Sequence, residues 1–272
     1  MSTLDLFAMA RENADHLASE CAMHVGAIVE FSRSVEREGR FSVTMKFARI
    51  HSFMDGGRYL NPWEECSRDA EGDEAKATQL MVERQKGWYG RRALFEGSFE
   101  HGKKFQYGAL YTSGRALVHS KYGPFCAVFG SEAALSWHSI AWLRDNSLQR
   151  YVPDNDTFDV ELLRREVGPH ESRHYIAALK HAADIEAWPP EGWSTMLCGG
   201  DRFVEGIVVD DLLPEQIERL LADHDTWTDM LRANTAFLAG RADAVQCVKA
   251  SQYRALKSTM KRQNVTITWE KV

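Results

Sequence analysis

The segment His170-Glu171-Ser172-Arg173-His174 has the H-E-x-x-H spacing that, inside a helix, puts two imidazoles on one face to hold zinc beside a general-base carboxylate. Gly168-Pro169 immediately precedes it, so His170 falls in the first helical turn, where frayed backbone positions a ligand poorly. Arg173 also brings a cation toward the metal position. His181, Glu186 and Glu191 are the candidates for a third ligand, and the spacing of the longer metzincin pattern falls on Lys180. The segment is therefore expected to be an ordinary helix start with surface histidines and no metal; a zinc-dependent hydrolase is the alternative enzyme.

Nucleophilic serine chemistry has less behind it. No G-x-S-x-G elbow occurs, and Ser113-Gly114 lacks the preceding glycine. Ser136-Trp137-His138-Ser139 pairs hydroxyls with an imidazole but reads equally as a strand with alternating exposed hydroxyls. A third set is spread along the chain: Lys104 to Leu110 and Lys121 to Phe129 each carry a Tyr-Gly step, Tyr107-Gly108 and Tyr122-Gly123. Later, Asp201 to Gly206 sets the acid Glu205 inside an apolar strand beside a glycine. Turn geometry and core packing account for the Tyr-Gly steps taken alone.

The elements that must position these residues follow from periodicity. Phe7, Ala10, Ala14, Leu17 and Cys21 make an apolar stripe on an N-terminal helix. Phe41 to Ile50 reads as a strand, with Phe41, Val43, Met45 and Phe47 alternating with polar residues and Arg49 at its end. The turn Asp55-Gly56-Gly57 follows, and Asp69 to Lys86 is a loop or an exposed helix. Recurrent glycines from Trp88 to Phe129 predict short strands and tight turns. A helix runs through Trp188 until Pro189-Pro190 stops it, and Phe203 to Val209 is a strand. Helices from about Pro214 and through Lys261 precede a last strand, Val265 to Trp269. Strands interrupted by single helices, without regular βαβ alternation, give an α+β class, and neither a Rossmann nor a P-loop fingerprint is present.

Composition sets the bounds. The 272 residues include 8 Trp, 13 Phe and 8 Tyr among 26% charged residues, enough apolar surface to fold one domain over 1–272 without a staple. The five cysteines are scattered and odd in number, which predicts buried thiols. No run approaches a membrane span and the first residues lack a signal-peptide pattern, so a cytoplasmic location without membrane contact is expected. The net charge of -6 argues against a surface that coats nucleic acid, although the last helix is basic. That helix reads as a solvated face, with phosphate contact as the alternative.

Taken in order, the segments resemble a bacterial family of unknown function in the ADP-ribosyltransferase-like superfamily. The resemblance is carried by Val43 to Arg49, Arg92 to Phe99, Tyr107-Gly108-Ala109-Leu110, the second Tyr-Gly strand, Phe203-Val204-Glu205 and Val265 to Trp269, and spans most of the chain. It implies a split β-sandwich of two small sheets with flanking helices: an N-terminal helix within residues 1–38 and a C-terminal helical extension ending in a strand. It also implies NAD as substrate in the cleft. Glu205 would be catalytic, and Arg49, Tyr107, Gly108, Tyr122, Gly123, Ser136 and Ser139 would hold NAD, with Arg91 or Arg92 as alternatives to Arg49 for the phosphates. ADP-ribose would pass to a protein or nucleic acid acceptor, in a toxin, effector or defence protein. Two residues before the acid, where arginine-modifying members carry Glu or Gln, this chain has Phe203, which argues against an arginine acceptor. The non-enzyme alternative is a degenerate module that binds a nucleotide or partner without turnover, favoured if Arg49 and Glu205 do not face one cleft.

Overall fold

Local signals decide most helix ends. The computed structural model describes residues 3–112, 122–130, 139–199 and 202–270. The N-terminal stripe forms two helices, α1 (Leu6–Glu12) and α2 (Ala14–Cys21), broken at Asn13, and α3 (Ala27–Glu38) follows. Strand β1 (Arg40–Met45) is shorter than its alternation suggests, because α4 (Phe47–Gly56) begins at once. Ile50, Phe53 and Met54 repeat at helical spacing and are buried, so Arg49 sits in the first turn of a helix and not at a strand end. Gly57, at φ 72°, caps α4 in the left-handed region.

Asn61 and Glu64 form a capping box on α5 (Pro62–Asp69), and Asp73 caps α6 (Glu74–Gln85), so the polar stretch is helical. The region expected to be strands and turns opens with a 3-10 turn, Lys86–Trp88, and α7 (Tyr89–Gly97). Strands begin only at β2 (Gln106–Tyr111) and β3 (Phe125–Phe129), followed by β4 (Ile140–Leu143) and the short α8 (Ser147–Arg150). Then come α9 (Val160–Glu166), β5 (Val167–Pro169), α10 (Arg173–Ile185), α11 (Trp193–Cys198) and β6 (Glu205–Val208). The helix expected from Pro214 is only a 3-10 turn. Strand β7 (Ile217–Asp223) precedes α12 (His224–Leu238), α13 (Ala244–Arg262) and β8 (Ile267–Glu270).

The class is α+β. Among the described residues, all eight strands share one ladder in the order β5-β4-β6-β2-β1-β3-β7-β8, antiparallel except for β7 with β8. Two separate sheets were expected; the β1–β2 pairing joins the halves into one. Neighbours on β6 serve different cores: Val208 belongs to the core that holds Phe41, Phe129 and Trp142, and Ile207 to the one that holds Leu143, Phe95 and Phe105. Four of the five cysteines are buried thiols and Cys247 is partly exposed. No described helix is long and apolar enough to cross a membrane.

Glycines shape the middle of this sheet. Gly108 pairs with Gly206 across β2 and β6, and a Cβ on either would stand within 3 Å of the Phe41 ring. Gly123 sits at φ 142°, and a Cβ there would lie 2.1 Å from the Met45 carbonyl oxygen. Gly123→Ala is therefore expected to lose about 3 kcal/mol from backbone strain and overpacking together. Urea denaturation checks this; a loss below about 0.5 kcal/mol would show that the turn relaxes freely.

Candidate functional site

Small residues next to an acid open the site. The register aligns Ser42 of β1, Ala109 of β2 and Glu205 of β6 in one row across the sheet. Ser42 turns its hydroxyl onto the Ala109 carbonyl at 3.0 Å, so the space beside Glu205 is left unfilled. A cavity of about 350 Å³ lies there. It is lined by Arg49, Arg92, Tyr107, Tyr122, Phe203 and Glu205, with Trp88, Asn146 and Gln149 among the others.

Glu205 is only 5% exposed. One carboxylate oxygen accepts the backbone N–H of Ser147 at 2.8 Å, at the start of α8. Burial pushes its carboxyl up to about 7, against the opposing pull of Ser147 hydrogen bonding and the Arg92 cation. The acid is thus divided between its two protonation states near neutrality, the condition in which a carboxylate either donates a proton or opposes a developing cation.

Both cavity arginines are held by acids behind them. Arg49 makes a two-pronged pair with Glu65, Nε to Oε1 at 3.0 Å and Nη2 to Oε2 at 2.9 Å, over the Tyr59 ring. Arg92 donates to Glu96 at 2.6 Å and to Gln85 at 3.3 Å, with its guanidinium over the Tyr107 ring. Glu96, 2% exposed, also accepts the Tyr107 hydroxyl at 2.8 Å and the Trp63 indole N–H at 2.5 Å. This network fixes the ring and the cation that face the cavity. A planar guanidinium with donors to spare suits phosphate oxygens, and the surrounding rings suit a planar base.

The cavity therefore gathers Arg49, Tyr107, Gly108, Tyr122 and Glu205, five of the residues named from sequence. Gly108 contributes backbone, its missing side chain making room for Phe41 on the other side. Gly123 holds the chain against Met45 and does not line the cavity. Ser139 lies in a separate groove with Leu4, Phe7, Phe105 and Val209, a correction to its expected place, since β4 starts one residue later and carries it to the sheet's end. Ser136 lies outside the described residues. Arg92 lines the cavity, while Arg91 stands behind it and donates to the Leu148 carbonyl at 3.3 Å. Trp88, Tyr59, Asn146 and Gln149 were not legible as site residues; only Arg92 and Glu96, four apart on one helix, left a local signal.

The other sequence candidates lie elsewhere in the fold. His170 and His174, expected at the surface, are both buried, because α10 packs on α3 and the Trp142 indole N–H donates to His170 Nδ1 at 3.2 Å. Among the described residues no group of three or more His, Cys, Asp or Glu is arranged to hold a metal. On the basic last helix, Lys249 pairs with Asp229, Arg262 pairs with Asp55 at 2.6 Å, and Arg254 covers the Phe237 ring, so much of its charge is already met within the protein.

His181 on α10 is fully buried beside Phe31, and neither ring nitrogen has a hydrogen-bond partner among the described residues. Burial and the nearby Lys180 cation hold its imidazole down at about 4. A lowered folded value means the unfolded chain binds the proton first. The stability this residue carries is therefore present above about 6.5 and is lost as pH falls toward 4. His181→Leu should keep about 3 kcal/mol that the parent loses over that range, as measured by urea titration at successive pH values. Parallel pH profiles for the two proteins would show that His181 does not set the acid limit.

Compared with models of known protein families and with curated proteins, the sequence matches none.

Proposed function

We propose that the chain is an NAD-dependent ADP-ribosyltransferase built on an ADP-ribosyltransferase-like fold, acting on an unidentified macromolecular acceptor. The observation that carries this reading is that Arg49 and Glu205, far apart in sequence, line one cavity together with Arg92 and Tyr107. The arginines would take the pyrophosphate. Glu205 would face the nicotinamide ribose. As the glycosidic bond breaks, its electron pair leaves with neutral nicotinamide and positive charge builds on the ribose carbon, which an ionised carboxylate nearby stabilises. The acceptor nucleophile then bonds to that carbon and gives up its proton. Phe203 beside Glu205 offers no second acid, so a guanidinium acceptor is disfavoured. A cytoplasmic toxin, effector or defence protein remains the proposed setting.

A second reading is a degenerate module that binds a nucleotide or partner without turnover: Arg49 is already paired with Glu65 and Arg92 with Glu96, which limits the charge either offers to a pyrophosphate. One experiment separates the two. The protein is incubated with NAD labelled in the ADP-ribose half, with and without cell lysate, following nicotinamide release and label on macromolecules. Release with transfer is expected. NAD binding, followed by calorimetry, without release would leave the non-catalytic module, and no NAD binding would remove the transferase reading.

A further inference from the structure

The outer end of the cavity carries a residue that the catalytic reading does not use. Trp88 lines the cavity yet is 43% exposed, whereas Glu205 is 5% exposed. Glu205 is thus the shielded acid of the cavity, and Trp88, like Tyr122 at 44%, is one of its exposed rings. Its volume of about 350 Å³ is near the lower limit for pockets that enclose a drug-sized ligand. A dinucleotide is larger than a pocket of this volume usually encloses, so part of it would extend to the mouth.

Trp88 is held for such a contact. It ends the 3-10 turn Lys86–Trp88, entered through Lys86 at φ 48° and continued directly by α7. The Arg91 guanidinium lies over the indole at 5.4 Å, and Arg91 does not line the cavity. That cation draws on the ring's negative face, so a second cation on the indole is disfavoured and a neutral base is preferred. Of the two rings in NAD, the pyridinium is cationic and adenine is neutral. We infer that Trp88 is the stacking platform for the adenine base; this rests on the NAD reading above.

The test compares ligands carrying one ring each. Binding of NAD, ADP-ribose and nicotinamide mononucleotide is measured by calorimetry on the parent, Trp88→Ala and Trp88→Phe, with thermal melts establishing that each variant is folded. Removing a base-stacking ring should weaken NAD and ADP-ribose about tenfold or more and shift nicotinamide mononucleotide less than about twofold. Trp88→Phe, which keeps a π face, should retain most of the affinity even if the alanine variant folds poorly. Equal weakening of the mononucleotide, or unchanged ADP-ribose affinity, would overturn the adenine assignment while leaving the NAD reading in place. A parent protein that binds none of the three would remove the NAD reading itself and this assignment with it.

Discussion

Glu205→Gln is expected to lower nicotinamide release from NAD by a factor of about 10² or more while NAD still binds. Glutamine keeps the size of the side chain and an oxygen to accept the Ser147 N–H, but it carries no charge to oppose a cation on the ribose carbon. Because burial holds the Glu205 carboxyl at about 7, the parent's kcat/KM should rise with pH through that value as the free enzyme ionises, and the variant should lack this limb. Stability should move the other way. With its folded value raised, Glu205 destabilises the parent progressively as pH climbs from about 4.5 to about 7, a cost of about 3 kcal/mol that is complete above neutrality. The variant should therefore melt higher than the parent at pH 8 and nearly equal to it near pH 4.5. Near-normal NAD cleavage by Glu205→Gln would remove Glu205 from the mechanism. Equal melting at pH 8 would mean that the carboxylate is better solvated than its burial implies.

Glu96→Leu should give a large stability loss. Glu96 is the shared acceptor for Arg92, Tyr107 and Trp63, so its removal leaves a nearly buried guanidinium, a phenol and an indole N–H without their acceptor. Breaking a buried ion pair by deleting one partner costs about 3–5 kcal/mol, chiefly because the remaining charge stays desolvated. In a chain of this size that corresponds to a drop of about 10 °C in Tm. The double variant Arg92→Met with Glu96→Leu should recover part of the loss by removing the stranded cation, while NAD affinity stays low. A single variant as stable as the parent would mean that Arg92 reaches solvent or another acid on its own. A double variant no more stable than Glu96→Leu would assign the loss to Tyr107 and Trp63 instead.

Both outcomes depend on where side chains end up, and the sequence carried that information unevenly. The apolar run Phe203 to Val209 marked β6, which spans Glu205–Val208, and drew attention to the acid within it, since a carboxylate in an apolar strand conflicts with burial unless it is used or paired. The same reasoning overextended β1. Alternation from Phe41 to Phe47 was a local pattern, but Ile50, Phe53 and Met54 also had helical spacing, and packing against the core decided for the helix. Glycines from Trp88 onward suggested turns, yet Gly90 and Gly97 are tolerated inside α7, where Phe95 and Glu96 have buried work.

What the sequence determined by itself was the kind of protein: an α+β chain with enough aromatic residues for a large core, and an acid where an apolar residue would be usual. These are local properties, fixed by side-chain chemistry within a few residues. The cavity is not local. It exists because β2 pairs with β6 so that Ala109 meets Glu205, because Ser42 joins that row from β1, and because α7 carries Arg92 onto the Tyr107 ring. Such pairings join segments up to about a hundred residues apart, and only the closing of those long loops onto one sheet decides which side chains share a space.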